Sequence, residues 1–264
     1  MEHQTKNFAI VTGASKGIGE AMARELASKN FNLILVARSE SVLKNLSEEI
    51  KKSFSVEVKF LVLDLSEQHS AKKLFDFVEQ EKLNVQVLVN NAGYGLWGNF
   101  HELSLEEMNN MTQLNVTTLV ELCYLFIPQL IKQKKAYILN VASTTAYQAI
   151  PTLGLYAAGK AFVVSFSRSL FHELKKTNIS VTCVSPGTTR TGFVERSRMH
   201  HMEKLADKVA MEPEAVAKIA VRAMLKGKSE VVPGFMNWFS AGMVRILPKN
   251  MIEKIAASIY KVKK

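Results

Sequence analysis

The stretch Phe8-Ala9-Ile10-Val11-Thr12-Gly13-Ala14-Ser15-Lys16-Gly17-Ile18-Gly19 joins a short apolar run to three glycines within seven residues. The apolar run reads as a buried strand. After the glycines, Ala21, Met22, Leu26 and Ala27 recur at helical spacing. Glycine admits positive φ and lets backbone approach a ligand closely. A helix starting there aims unpaired N–H groups and the positive end of its dipole at the turn, which suits a pyrophosphate. The spacing is Gly-x3-Gly-x-Gly rather than Gly-x-Gly-x-x-Gly, so the strand–turn–helix context carries the reading.

Outward from this turn, apolar runs alternate with helical patterns. Leu33–Val36, Val58–Leu63, Val85–Val89, Tyr137–Val141, Ile179–Val184 and, weakly, Val231–Val232 read as strands. Helices are expected over 41–52, 70–80, 105–132, 156–177 and 213–226. Continuous apolar strands suit a parallel sheet covered on both faces. The expected class is therefore α/β, a doubly wound, mostly parallel Rossmann-like sheet with helices on both sides. No linker or repeat divides the 264 residues, so 1–264 reads as one domain with a helical extension over 233–264.

Composition narrows the function classes. Apolar residues make up 47% and charged residues 22%, which excludes disorder and disulfide scaffolds. Cys123 and Cys183 lie in apolar runs and read as core thiols; no Cys/His spacing suggests a metal. The polar stretch Met1 to Asn7 lacks a signal-peptide core, so a cytoplasmic location is expected. Thirty-four Lys+Arg against 24 Asp+Glu give +10, which favours anionic partners. No nucleic-acid recognition motif accompanies that charge.

Two further constellations carry chemistry. The second strand ends at Ala37-Arg38, where an NAD site would place a carboxylate for the ribose. Arg38 can instead fork onto a 2′-phosphate, with Lys16 as a second cation, favouring NADP(H) over NAD(H). The fifth strand exits at Ser143, followed by Tyr156 and Lys160 at helical i, i+4 spacing. An ammonium beside a phenol is expected to lower the phenol's pKa and make it a usable proton donor and acceptor.

Taken in order, Thr12–Gly19, Asn90-Asn91-Ala92-Gly93, Asn115, Ser143, Tyr156/Lys160 and Pro186-Gly187 resemble the short-chain dehydrogenase/reductase family over about residues 6–233. The resemblance implies a seven-stranded Rossmann-like sheet and an active enzyme. It implies Tyr156 as general acid, Lys160 on the nicotinamide ribose, Ser143 orienting the carbonyl, and Asn115 anchoring a relay water. For the cofactor it implies Gly13, Ser15, Lys16, Gly17, Ile18 and Gly19 around the pyrophosphate, Arg38 at the 2′-phosphate and Asp64 at the adenine. Asn91, Ala92 and Gly93 would pass the ribose, and Pro186, Gly187, Thr188 and Thr191 would cover the nicotinamide. The expected reaction is NADPH-dependent reduction of a hydrophobic ketone or aldehyde. The alternatives are a 3-oxoacyl reductase at a membrane surface and a non-catalytic NADP(H) sensor. A further likeness points to the branch of DltE-like oxidoreductases, 3-oxoacyl reductases and hydroxysteroid dehydrogenases. A homo-oligomer, dimer or tetramer, is implied through helices 105–132 and 156–177.

Arg190–Glu212 falls where the family places a substrate lid, and Phe193, Met199, Met202, Leu205 and Met211 suit an apolar substrate. His200 and His201 read as solvent-facing. Over 233–264, Phe235, Trp238, Phe239, Ile246 and Leu247 share a helical face, as do Met251, Ile252, Ile255 and Ile259. Arg245, Lys249, Lys254, Lys261, Lys263 and Lys264 face one acid, Glu253. Packing over the pocket or against a partner subunit is the favoured reading of this tail, with peripheral membrane contact as the alternative.

Overall fold

A computed structural model describes residues 7–193, 197, 209–244 and 246–260. Met199, His200, His201, Met202 and Leu205 of the expected lid lie outside the described residues, as do Arg245, Lys261, Lys263, Lys264 and Met1–Lys6. Seven parallel strands form one sheet in the order β3-β2-β1-β4-β5-β6-β7. They are β1 (Phe8–Thr12), β2 (Asn32–Ala37), β3 (Val58–Val62), β4 (Val85–Asn90), β5 (Ala136–Val141), β6 (Ile179–Val184) and β7 (Glu230–Val231). The order runs outward from β1 in one direction and from β4 in the other. The switch between them leaves a crevice at the carboxyl ends of these two strands, where open α/β sheets bind ligands.

β1, β2 and β5 are buried along their whole length, as their mostly apolar sequences require, with Thr12, Asn32 and Asn140 as buried polar members. Helices α1 (Gly17–Ala27), α2 (Glu40–Ser53) and α7 (Pro213–Leu225) pack on one face around Met22, Leu26, Leu43 and Val221. Helices α3 (Ser70–Gln80), α5 (Thr118–Leu130) and α6 (Gly154–Glu173) cover the other, around Leu74, Phe126 and Val163. Two helices follow β7, α8 (Phe235–Met243) and α9 (Lys249–Ile259).

The stretch 105–132, expected as one helix, is three segments. α4 (Leu105–Thr112) runs into a π-helical turn, Gln113–Thr117, before α5. Apolar periodicity over so short a turn gives no sign of the extra residue per turn, although Asn115, Val116 and Thr117 are weak helix formers. The bulge turns Asn115 inward, where it is 2% exposed.

Phe126 is completely buried and meets Phe75 edge-on at 5.3 Å between ring centroids. Phe126→Ala should cost about 3–5 kcal/mol by removing both transfer energy and packing contacts. Urea unfolding should show this as a lower midpoint at unchanged slope.

Candidate active site

The glycine turn is a cradle closed to side chains. Gly13 and Gly17 have φ of +66° and +59°, a region that disfavours L side chains. A Cβ at Gly19 would sit 2.1 Å from the Gly13 carbonyl oxygen, and one at Gly17 would sit 2.6 Å from Thr191 Cγ2. Lys16 is the N-cap of α1 and makes no side-chain cap, so the first N–H groups of the helix receive none from it. Its ammonium runs along Gly192, within 2.5 Å of where a Cβ would stand. Glycines, a helix N-terminus and a cation thus converge where a diphosphate would lie, and Thr191 reaches the same turn from the far loop.

Thr12 organises this end of the sheet, a role that motif spacing does not reveal. Its hydroxyl donates to Val89 O and accepts from Asn91 N at 2.9 Å and Ala92 N at 3.0 Å. Asn91 Nδ2 in turn donates to Thr12 O and Gly13 O. Strand β4's exit is locked to the glycine turn, and Asn91 and Ala92 are positioned by that lock. The signal in the sequence is a threonine directly beside the glycines.

At the end of β2, Arg38 Nη1 lies 3.4 Å from Asp64 Oδ2, with the arginine side chain 55% exposed. Burial works to raise the Asp64 carboxyl. Hydrogen bonds from Ser66 and the Arg38 charge outweigh it and hold the group below its ordinary value. The two predicted cofactor residues are therefore neighbours, and Arg38 keeps most of its donors facing outward.

Ser143 closes β5 and caps a 3₁₀ turn, Thr144–Tyr147, by accepting from Thr145 N. Tyr156 and Lys160 lie one turn apart on α6 and are 6% and 4% exposed. Lys160 Nζ donates to Val141 O at 2.8 Å and stands 5.8 Å from the Tyr156 ring centroid. Burial pushes the lysine down to about 8. Burial also raises the Tyr156 phenol above its ordinary value, opposed by a hydrogen bond with Ser143 and reinforced by Tyr260. The phenol thus stands above its ordinary value rather than below it as expected: desolvation outweighs the Ser143 hydrogen bond.

Asn115 is bonded through both atoms of its amide to the Tyr94 backbone. Its Oδ1 accepts from Tyr94 N at 3.1 Å and its Nδ2 donates to Tyr94 O at 2.8 Å. The amide clamps the loop after β4. A Cβ at Gly93 would meet Asn115 Oδ1 at 2.7 Å and Lys160 Nζ at 3.4 Å, so both polar groups border the space that this glycine leaves open. Pro186 and Gly187 leave β6 above Ser143, with Thr144 N donating to Pro186 O at 2.9 Å. Thr188 O accepts from Met211 N, which ties this loop to the start of α7.

A mostly apolar cluster surrounds Tyr156: Tyr94, Leu96, Met111, Ile150 and Leu153, with Phe193 at 5.3 Å between ring centroids. Tyr260, beyond the end of α9, joins it. Its carbonyl accepts from Trp97 Nε1 at 2.9 Å and Thr152 Oγ1 at 2.8 Å. Part of the tail therefore packs over the reacting centre, in agreement with the favoured expectation for 233–264. A separate cleft of about 490 Å³ opens between Gly17, Arg24, Thr191 and Pro213. It marks the seam between α1 and α7, and neither Tyr156 nor Lys160 lines it.

A profile of the short chain dehydrogenase family matches residues 7–202. The chain belongs to this family. It is an oxidoreductase acting between CH–OH and C=O groups. The very-long-chain 3-oxoacyl-CoA reductase of Anas platyrhynchos is 30% identical over 253 residues, covering 93% of this chain and 77% of that protein. Hydroxysteroid dehydrogenase-like protein 1 of Gallus gallus is 32% identical over 194 residues, 73% of this chain. The match spans only 58% of that relative's own length. Among solved structures, a short-chain dehydrogenase from Sphingobium yanoikuyae in complex with NADPH aligns with a TM-score of 0.81 at 26% identity, over 91% of this chain and 94% of that one.

Burying Lys160 disfavours its charged form in the folded chain relative to the unfolded one. Between about pH 8 and the ordinary lysine value of 10.5 the unfolded chain binds more protons, so stability from this group rises with pH across that window. Lys160→Met should remove that rise and should leave thermal stability at pH 7 equal or higher by a few °C. Differential scanning calorimetry at pH 7 and pH 9.5 checks both.

Proposed function

We propose that the protein is an NADPH-dependent carbonyl reductase in which Tyr156 protonates the carbonyl oxygen of a hydrophobic ketone or aldehyde. The single observation that carries this reading is the convergence of buried Tyr156 and Lys160 with Ser143 at the carboxyl end of β5, beside the glycine cradle. When bound, the dinucleotide supplies the hydride. Gly13, Ser15, Gly17, Ile18 and Gly19 would hold its diphosphate, with Lys16 and Thr191 closing the turn. Asp64 would face the adenine, and Asn91 to Gly93 the ribose. Pro186, Gly187 and Thr188 would cover the nicotinamide.

The residues of the chain divide the remaining work. Tyr156 holds a proton at Oη until the carbonyl oxygen gains charge. Its raised pKa keeps it in the acid form at neutral pH, which suits reduction. Ser143, hydrogen-bonded to the phenol, orients and polarises the same oxygen. Lys160 has one acceptor among the described residues, Val141 O. Its remaining donors suit ribose hydroxyls, and those acceptors would favour the ammonium and draw the phenol's pKa down. Asn115 holds the loop at Tyr94 and borders, with Lys160, the space beside Gly93, where it would anchor a relay water. Tyr94, Ile150, Leu153 and Phe193 exclude water, which strengthens each of these interactions.

Substrate class follows from the lining. Apolar and aromatic side chains dominate around Tyr156, which supports a lipophilic carbonyl. The likeness to a 3-oxoacyl-CoA reductase supports a second reading, reduction of long 3-oxoacyl thioesters. We read the whole chain as one catalytic domain, assembled as a homo-oligomer. Exposed Tyr124 on α5 and Phe162 on α6 support self-association there.

Tyr156→Phe should lower kcat by about 10²–10⁴-fold while NADPH still binds, measured by cofactor fluorescence. Arg38→Asp should weaken NADPH relative to NADH by roughly 10–100-fold, because a phosphate-facing fork becomes a repulsive carboxylate. Parallel titrations with the two cofactors read this out. An unchanged ratio would remove Arg38 from the phosphate site.

A further inference from the structure

Helix α8 buries only Ala241 and half-buries Asn237, whose Nδ2 donates to Pro233 O and whose amide sits where a Cβ on Gly187 would meet it at 2.4 Å. Phe235, Met236, Trp238 and Phe239 face outward, at 72, 69, 59 and 48% exposure. The rings of Trp238 and Phe239 lie 6.0 and 6.4 Å from that of Phe235. α9 buries Ile252 and Ala256 and exposes Ile255 and Ile259. Among the described residues, half of the sixteen exposed large hydrophobics fall within 235–259. A surface helix ordinarily turns such residues to the core.

We propose that this outer face of α8 and α9 docks on an anionic lipid bilayer. Charge selects the occupant. The sequence 235–264 holds six basic side chains and one acidic, and among the described residues Lys249 and Lys254 are exposed on α9 beside the half-buried Glu253. A second copy meeting this surface symmetrically would set like charge against like. Anionic headgroups are complementary to it, and the exposed rings suit the boundary between headgroups and acyl chains. Among the described residues no helix is long and apolar enough to cross a membrane, so the helices lie in the interface plane. The far end of α9 is fixed at the reacting centre through the Tyr260 carbonyl, bonded to Trp97 and Thr152. Docking therefore sets the substrate side against lipid, and a lipophilic carbonyl enters from the bilayer. That last step rests on the proposed reductase function; the docking does not.

The test is co-sedimentation of the full chain with vesicles of phosphatidylcholine alone and of phosphatidylcholine with about 30% phosphatidylglycerol. At low salt the bound fraction should rise at least about tenfold on the anionic vesicles, and it should fall as salt screens the charge. The double variant Trp238→Asp with Phe239→Asp should lose this binding and keep wild-type turnover of a short, water-soluble ketone. Absence of binding to anionic vesicles, or binding unchanged in the double variant, overturns the proposal. So does a dimer that the double variant dissociates, with no vesicle binding in the wild type, because the surface then belongs to a second copy. If no carbonyl is reduced but vesicles are bound, the docking stands and the catalytic reading falls.

Discussion

A primary ammonium enclosed by protein, with one carbonyl to hold it, is the constraint around which this molecule is arranged. Lys160 is almost wholly buried and, among the described residues, donates only to Val141 O. Desolvation, the dominant cause, brings it to about 8, where charged and neutral forms are close in energy near physiological pH. Such a group is costly unless a ligand brings acceptors. The sheet pins it: β5 supplies the carbonyl, α6 the side chain, and the loop after β4 passes at Gly93 with no room for a Cβ. Tyr156, one turn away, is buried by the same packing and is kept in its acid form.

The rest of the fold keeps this arrangement in register with the glycine turn. Parallel pairing from β1 through β4 to β5 sets all three carboxyl ends at one edge. Thr12 then ties β1 to the exit of β4 by three hydrogen bonds. The crevice, the cradle and the Tyr156–Lys160 pair are therefore one rigid construction. Phe193 packs on Tyr156, Met211 N donates to Thr188 O, and Tyr260 after α9 joins the same cluster.

Much of this is legible in the sequence, and the physical reasons are local. Strands buried on both faces announce themselves as unbroken apolar runs, as in Phe8–Val11 and Leu33–Val36. The i, i+4 spacing by itself puts Tyr156 and Lys160 on one face of α6. What stays hidden depends on geometry without a local signature. The π-helical turn at Gln113–Thr117 is a shift of one backbone hydrogen-bond register, which side-chain periodicity over five residues does not report. The clamp of Asn115 on Tyr94 spans 21 residues. The direction of the Tyr156 shift depends on how completely α6 and the tail desolvate the phenol, which periodicity does not report. Tyr260 illustrates the same limit: its side-chain pattern reads as tail, while its carbonyl anchors the tail 108 residues away at Thr152.

The tail also shows how one segment serves two surfaces. Its inner residues Ala241, Ile252 and Ala256 are buried and Tyr260 closes on Trp97 and Thr152, while its outer residues carry aromatic rings and the exposed Lys249 and Lys254. Both faces depend on the centre they enclose, so the state of Lys160 is the quantity to measure. Carbon-13 NMR of lysine-labelled protein, with Lys160→Met to assign the resonance, reads its titration directly. The account predicts a midpoint near 8 for the free protein, moving upward when NADP⁺ occupies the site. A midpoint at the ordinary lysine value, unmoved by the dinucleotide, would contradict it.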